Sequence, residues 1–264
     1  MKKKQDARLK QKNSNTRMHD EIKFQSTFKM IECSSVNTIM NSLSGILHLN
    51  SNDLKQLFYS IGPIPRIEEP KSYVNRFISL KIKLPSSLIP SIWYHATRVI
   101  EPKCFTNEGI LPKKLMKPKI YTLLHKLSAG KSKYGENPFS NSINAKNWIN
   151  DEGPFAFLCR TVAINAPGCT HSYCECPELV EDIAGSLLGK NYKEIVDKFK
   201  SMSKPCIVTF WANSELYALE SAIYYAYLLN MGCTEVESAE SANTCYDGKG
   251  KIIDPSTIIR IELL

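Results

Sequence analysis

The sequence predicts an α+β fold, with a mixed strand and helix core over residues 86–264 and a mainly helical addition over residues 26–85. Helical and alternating apolar patterns are interspersed, without the regular alternation that a doubly wound parallel sheet requires. The chain ends in strand-like segments, and its 264 residues with 43% hydrophobic content suffice to bury a full core. We expect two small packed β-sheets with a cleft between them.

The first part of the chain divides into three segments. Residues 1–25 are polar and basic, and we expect a flexible arm. "SSVNTIMNSLSGIL" and "SNDLKQLFYSIG" predict helices, the second with Ser51 as N-cap and Gly62 as its end. "GPIPRIEEPK" predicts an extended connector, since three prolines fall within eight residues. "SYVNRFISLKIKLP" alternates apolar and polar residues, which predicts a strand.

The core segments follow in order. "SLIPSIWYHATRVI" predicts a buried strand, and "EPKCFTNEGILP" predicts a helix that ends at Gly109. The stretch from Lys119 to Gly153 predicts a short amphipathic helix followed by a long polar loop. "GPFAFLCRTVAI" and "KPCIVTFWA" predict buried strands, and "YKEIVDKFKSM" predicts a helix. "SELYALESAIYYAYLLNMG" predicts a helix with Ser214 as N-cap and Gly232 as its end, and "KIIDPSTIIRIELL" predicts closing strands.

The net charge of +8 is concentrated in two places. One is the N-terminal arm. The other is the segment from Lys113 to Lys133, in which Lys113, Lys114, Lys117 and Lys131 are the predicted nucleic-acid contacts. Clustered lysines attract polyanions, although lysine-rich surfaces also serve solubility alone. Neither a membrane span nor a signal peptide is recognisable, so we expect a cytoplasmic protein.

Several common motifs are absent from the sequence. "SAGKS" has the end of a phosphate-binding loop, but His125 stands where that loop needs its first glycine. The sequence contains no G-x-G-x-x-G, H-E-x-x-H or G-x-S-x-G motif. The nine cysteines predict free thiols. Cys169, His171, Cys174 and Cys176 are spaced too tightly to favour a structural zinc site, so no metal is predicted.

The segment "WYHATRVIEPKCFTNEGIL" resembles the first sequence block of ADP-ribosyltransferases. In that family a histidine or arginine leaves the first core strand, a hydroxyl residue follows two positions later, and a helix then leads to Gly-Leu or Gly-Ile. Residues i and i+2 of a strand share a face, so His95 and Thr97 can line one cleft. The resemblance implies an ADP-ribosyltransferase-like split sheet, with His95 on the adenosine ribose of NAD, Thr97 on the nicotinamide-ribose side, and Tyr94 adjacent.

The family also has an aromatic residue that stacks on nicotinamide. "GPFAFL" provides Phe155 and Phe157 on one face of a strand, and Tyr121 and Tyr134 are weaker candidates. Tyrosine is more usual in the family at this place, so the segment departs from the pattern. Packing in the core is the alternative role for both phenylalanines.

The catalytic acid of the family is a glutamate near the last strands. Here Glu240 is the first candidate, Glu237 the second and Glu235 the third. A carboxylate on the ribose 2′-hydroxyl stabilises the positive charge that develops when the nicotinamide bond breaks. Glu235 and Glu237 would form an E-x-E pair if the segment were extended. A solvated acidic turn is the structural alternative for all three.

The resemblance covers residues 86–264 and implies an NAD-dependent transferase that acts as a toxin or an anti-phage effector. NAD is then the substrate, RNA the favoured acceptor and an antitoxin protein a further partner. Two other classes stay open at this point. A non-enzymatic nucleic-acid or partner-binding module would use the lysines and leave His95 in the core. A cysteine hydrolase would use Cys104 or Cys159 with His95, His125 or His171 as base.

Overall fold

The computed structural model describes residues 29–85, 87–148, 152–168 and 171–264. The predicted basic arm, residues 1–25, lies outside these ranges. Helices alternate irregularly with strands, as the sequence predicts. The helices are α1 Val36–Leu47, α2 Ser51–Tyr59, α3 Pro70–Lys81, α4 Lys103–Glu108, α5 Lys113–Leu127, α6 Ser140–Trp148, α7 Arg160–Asn165, α8 Glu178–Leu188, α9 Lys193–Met202, α10 Leu216–Asn230 and α11 Glu235–Ala242. The strands are β1 Ile89–Val99, β2 Phe155–Phe157, β3 Lys204–Ser214, β4 Cys245–Asp247 and β5 Ile258–Leu263.

The described strands form one antiparallel sheet in the order β4-β2-β1-β3-β5, so the expectation of two separate sheets is wrong in that form. The two long strands, β1 and β3, pair along their whole length, from Ile89 opposite Ser214 to Val99 opposite Lys204. By contrast, β1 and β2 share a single registered pair, Tyr94 with Phe157. The sheet therefore has a narrow junction between β1 and β2, formed at Phe157, the last residue of β2.

One hydrophobic core joins the N-terminal helices to the sheet. Leu43, Phe58 and Ile78 of α1, α2 and α3 belong to the same buried cluster as Trp93 of β1 and Ile223 of α10. Helix α10 is central to it, since it packs against β1 and against all three N-terminal helices. Residues 29–85, the described part of the region predicted to be mainly helical, contain α1, α2 and α3, but these helices share their core with the rest of the chain.

The strand predicted for "SYVNRFISLKIKLP" is wrong, because this segment forms helix α3. Its start is fixed by Glu69, whose side chain accepts hydrogen bonds from the backbone nitrogens of Lys71 and Ser72. Val74 and Ile78, four residues apart, are fully buried on one face. Contact of that face with α10 favours the helical period over the alternating one.

Other element boundaries also differ from the predictions. The segment after β2 turns at Leu158 and forms α7 instead of continuing as a strand. Helix α5 begins at Lys113 and contains Pro118, and α6 lies within the predicted polar loop. Helix α8 was not predicted, although its apolar residues recur at helical spacing. Asn50 caps α2 in place of Ser51. Ser214 ends β3, and Glu215 occupies the N-cap position of α10 without a side-chain hydrogen bond.

Candidate ligand-binding site

A cavity of about 450 Å³ opens where β1 extends beyond its junction with β2. Its walls come from the second half of β1, helices α4, α5 and α8, and the segment that leads into β2. Apolar side chains such as Phe105, Ile110, Met116 and Leu123 form much of the lining. A size of this order, with a few polar groups in an apolar wall, is typical of small-molecule sites.

His95 and Thr97 both line this cavity, as predicted from their places in β1. They pair with Val208 and Cys206 of β3 and lie on the same face of the strand. Nδ1 of His95 lies 2.7 Å from the backbone oxygen of Phe155, and a carbonyl oxygen only accepts, so Nδ1 carries the proton. Burial lowers the pKa of His95. The imidazole is therefore neutral at pH 7, with Nε2 as an acceptor.

Aromatic side chains lie at the β2 side of the cavity. Phe155 and Phe157 both line it, with the fully buried Ala156 between them in the strand. Tyr173, which no pattern in the sequence singles out, lines it as well, and its ring centroid lies 6.1 Å from that of Phe157. These rings offer flat apolar surfaces to a planar ligand.

The other predicted aromatic residues lie elsewhere. Tyr94 is 1% exposed and packs in the cluster on the opposite face of β1, with Ile92 and Ala96. Tyr121 is exposed on α5, and Tyr134 is exposed beyond this helix, where it forms an isolated bridge with Gly189. The cavity lining includes none of these three tyrosines.

Arg98 fixes the loop that carries Tyr173. Its guanidinium donates to the backbone oxygens of Cys174, Lys200 and Ser203 and to the Ser203 hydroxyl, at 2.8 to 3.0 Å. These acceptors belong to two segments, the loop before α8 and the C-terminal end of α9. A planar five-donor group can bind both at once. Arg98 thus connects β1 to the loop that forms one wall of the cavity.

The three predicted catalytic glutamates lie on helix α11, so the expectation of an extended or turn segment is wrong. Glu235 accepts a hydrogen bond of 2.6 Å from Thr161, and Glu237 completes a capping box with Thr234. The Glu240 carboxylate lies against Gly168. An E-x-E pair on a helix points its members in different directions. The cavity lining includes none of the three.

Five other acids line the cavity: Glu101, Glu108, Glu152, Glu178 and Asp182. Glu108 is paired with Lys119, and Glu101 accepts from the backbone nitrogen of Lys103. Glu152 is half-buried, and no hydrogen bond or ion pair to its carboxylate occurs within the described ranges. Its backbone oxygen accepts from the Lys113 nitrogen at 3.0 Å, which holds it beside α5. Glu152 stands three residues before Phe155, the partner of His95.

The four predicted lysines have different surroundings. Lys113 lines the cavity, and Lys131 is paired with Glu194. Lys114 and Lys117 are exposed on α5, and neither forms an ion pair with any part of the chain that the structure describes. These two lysines are available to an external anion.

Neither of the two candidate nucleophilic cysteines, Cys104 and Cys159, has the environment of a reactive thiol. Cys159 is fully buried in the core. Cys104 lines the cavity, but burial raises the pKa of its thiol, whereas a nucleophilic cysteine needs a lowered pKa. Of the compact cysteine and histidine cluster, Cys169 lies outside the described residues, and burial raises the pKa of Cys176 to about 12. Among the described residues, no three His, Cys, Asp or Glu side chains are grouped to hold a metal ion.

Comparisons with protein-family models, with curated proteins and with solved structures gave no match. No described helix combines the length and the apolar character needed to cross a membrane.

Proposed function

We propose that this protein is an NAD-dependent ADP-ribosyltransferase that modifies a nucleic acid, with RNA as the favoured acceptor, and acts as a toxin or an anti-phage effector. The observation that carries the proposal is the meeting of His95 and Thr97 with the Phe155 and Phe157 rings around one cavity. These residues come from sequence segments about 60 positions apart, and the family resemblance associates all four with NAD. An antitoxin partner belongs to the same proposal.

In this proposal the imidazole of His95 accepts a hydrogen bond from a ribose hydroxyl. Because Nδ1 donates to the backbone oxygen of Phe155, the neutral ring offers Nε2 to this hydroxyl as an acceptor. Thr97 provides a hydroxyl on the same face for the nicotinamide ribose. Phe155, Phe157 and Tyr173 provide the apolar surfaces on which the nicotinamide ring stacks.

We assign the catalytic acid to Glu152 in preference to Glu240, Glu237 and Glu235. During transfer the bond between nicotinamide and C1′ of the ribose breaks, and its electron pair leaves with nicotinamide. A lone pair of the acceptor then forms the new bond to C1′, and the acceptor loses a proton to solvent. A carboxylate near the ribose stabilises the positive charge in between. Glu152 supports this role because it lines the cavity and its carboxylate has no partner among the described residues.

Release of nicotinamide from NAD tests the proposal. Purified protein is incubated with NAD alone and with added RNA, DNA or a protein extract, and free nicotinamide is measured by chromatography while labelled ADP-ribose is traced to the acceptor. We expect release by the wild type and loss with His95→Ala. Tyr59→Ala, an exposed substitution on α2, serves as the control that keeps activity. If no mixture releases nicotinamide and NAD does not bind, the proposal fails and a non-enzymatic binding module is the better description.

A further inference from the structure

Helix α5 presents an exposed surface of lysine and aromatic side chains on the side away from the cavity. Met116, Ile120 and Leu123 line the cavity at helical spacing. Lys114, Lys117, Tyr121 and His125, which we call the α5 outer face, recur at intervals of three and four and are all exposed. The helix is thus at once a wall of the cavity and part of the surface.

Two aromatic rings on this face are already stacked. The ring centroids of Tyr121 and His125 lie 5.8 Å apart with an angle of 23° between their planes, and the Tyr121 side chain is 48% exposed. An exposed ring of this kind offers a π-face to a nucleobase, and such stacking works with any base that is not already stacked in a duplex.

The charge beside the rings is positive and uncompensated. Lys114 and Lys117 lie one to two turns before Tyr121 on the same face, and within the described ranges neither has an ion-pair partner. Lys119, on another side of the helix, is neutralised by Glu108. Free ammonium groups next to exposed rings are the combination that binds single-stranded nucleic acid, because phosphates and bases are held side by side.

We propose that the α5 outer face binds a single-stranded nucleic acid, with one base on Tyr121 and His125 and the adjacent phosphates on Lys114 and Lys117. Since a helix is about 10 to 12 Å across, a strand on this face lies within one helix diameter of the cavity wall. The inference rests on the proposed function where it makes this strand the acceptor, but the binding itself can be tested without NAD.

Fluorescence anisotropy with a labelled RNA that has no self-complementarity measures this binding directly. We expect Tyr121→Ala to weaken affinity roughly 5- to 150-fold, the range for removal of one stacked base. Lys114→Gln with Lys117→Gln should reduce the slope of log affinity against log salt by about 0.7 for each phosphate that is no longer neutralised. Tyr59→Ala, which removes a tyrosine on α2 that is even more exposed than Tyr121, is the control and should bind as the wild type does.

Three outcomes would overturn the inference: no RNA binding by the wild type, equal affinity for the same RNA as a duplex, or equal effects of Tyr121→Ala and Tyr59→Ala. The same RNA sequence as single-stranded DNA shows whether the sugar matters. Nicotinamide release from NAD without RNA separates this inference from the proposed function. If Tyr121→Ala loses RNA binding while nicotinamide is never released, RNA binding by the α5 outer face is supported and the transferase proposal fails. If nicotinamide is released but Tyr121→Ala binds RNA as the wild type does, only the proposal for the α5 outer face is rejected.

Discussion

The Nδ1 atom of His95 donates a hydrogen bond to the backbone oxygen of Phe155 across 2.7 Å. It supplements a junction between β1 and β2 that otherwise contains one registered pair, Tyr94 with Phe157. The same bond sets the tautomer of the ring and holds β2 where its two phenylalanines line the cavity. One side chain therefore links the shape of the sheet to the chemistry of the cavity.

The pH dependence of folding should report this environment of His95. Burial lowers the pKa in the folded protein, whereas in the unfolded chain it is about 6.5. As pH falls below about 6.5 the unfolded chain gains this proton first, so the free energy of unfolding falls until the lowered folded pKa is passed. Above about pH 6.5, His95 adds no pH dependence to the free energy of unfolding. We expect the stability difference between wild type and His95→Gln to shrink as the pH falls from about 6.5 to the lowered folded pKa.

Urea denaturation of both proteins at several pH values from about 7.5 downward measures this difference. His125→Gln, which removes an exposed histidine, is the control for the removal of an imidazole elsewhere. A gap between wild type and His95→Gln that stays constant over the whole range would show that His95 is solvated in the folded protein.

Substitution of two glutamates separates the cavity acid from the acids of α11. Glu152→Gln should reduce nicotinamide release by about a hundredfold while NAD still binds, because an electrostatic partner of the transition state is removed. Glu237→Gln should leave release unchanged, since that carboxylate accepts from the backbone nitrogen and hydroxyl of Thr234 in the capping box. Steady-state rates and calorimetric NAD affinities give the two readouts.

The same rate measurement on Glu240→Gln and Glu235→Gln tests the other two candidate acids from the sequence. Both residues lie on α11, and we expect near wild-type rates from both variants. If Glu240→Gln is the inactive variant and Glu152→Gln is not, the ranking drawn from the sequence is right and the cavity assignment of the acid is wrong.

Alanine substitutions of Gly109 and Gly130, which both have a positive φ, separate backbone strain from a steric clash at the cavity wall. Gly109 ends α4 with φ 76° and ψ −161°, a conformation almost restricted to glycine, and a Cβ there would overlap the backbone oxygen of Ile253. Gly109→Ala should destabilise the fold by more than about 3 kcal/mol, because strain combines with disruption of the Ile110–Ile253 bridge. Gly130 has φ 75° and open space around it, so Gly130→Ala should cost about 1 kcal/mol.

Thermal and urea unfolding of the two alanine variants provide the comparison. Equal losses of stability would mean that backbone conformation alone matters at both sites and that the close approach of Gly109 to Ile253 contributes nothing.

The sequence was most informative where local pattern and tertiary packing agree. The run around Trp93 predicts a buried strand, and the two-residue period correctly places His95 and Thr97 on one face. The glycine–proline pair before Phe155 marks the start of that strand, but only the family resemblance placed Phe155 and Phe157 beside His95 in the cavity that all three line. In each of these two strands, a single local pattern in the sequence indicates the structure.

The type of the remaining elements depends on packing between segments distant in the chain, and this packing cannot be inferred from a single sequence. Apolar residues at i and i+4 in "SYVNRFISLK" fit a helix as well as their alternation fits a strand, and burial against α10 selects the helix. Helix α11 is an exception, because Thr234 and Glu237 form a capping box, a local signal in the sequence that indicates where the helix starts. Glu152 and Tyr173 are close to His95 only through the path of the chain around the cavity. No spacing rule links them.

Arg98 positions Tyr173 by holding the loop that carries it. Its guanidinium satisfies three backbone oxygens and one hydroxyl, so Arg98→Ala leaves several half-buried acceptors without a partner. We expect a loss of about 2 to 4 kcal/mol in the free energy of unfolding. Arg76→Ala removes an arginine of the same charge that pairs with Glu68 at the surface, and it should cost at most about 1 kcal/mol.

Arg98→Lys distinguishes positioning from bulk stability. Lysine keeps the charge but cannot bind both the Cys174 segment and the end of α9 with a planar fork. If the protein stays folded, we expect Arg98→Lys to raise the KM for NAD more than it lowers kcat, because the loop with Tyr173 is no longer fixed while Glu152 and His95 keep their places. Activity with lysine equal to that of the wild type, at a temperature where both are folded, would show that the loop is held without Arg98.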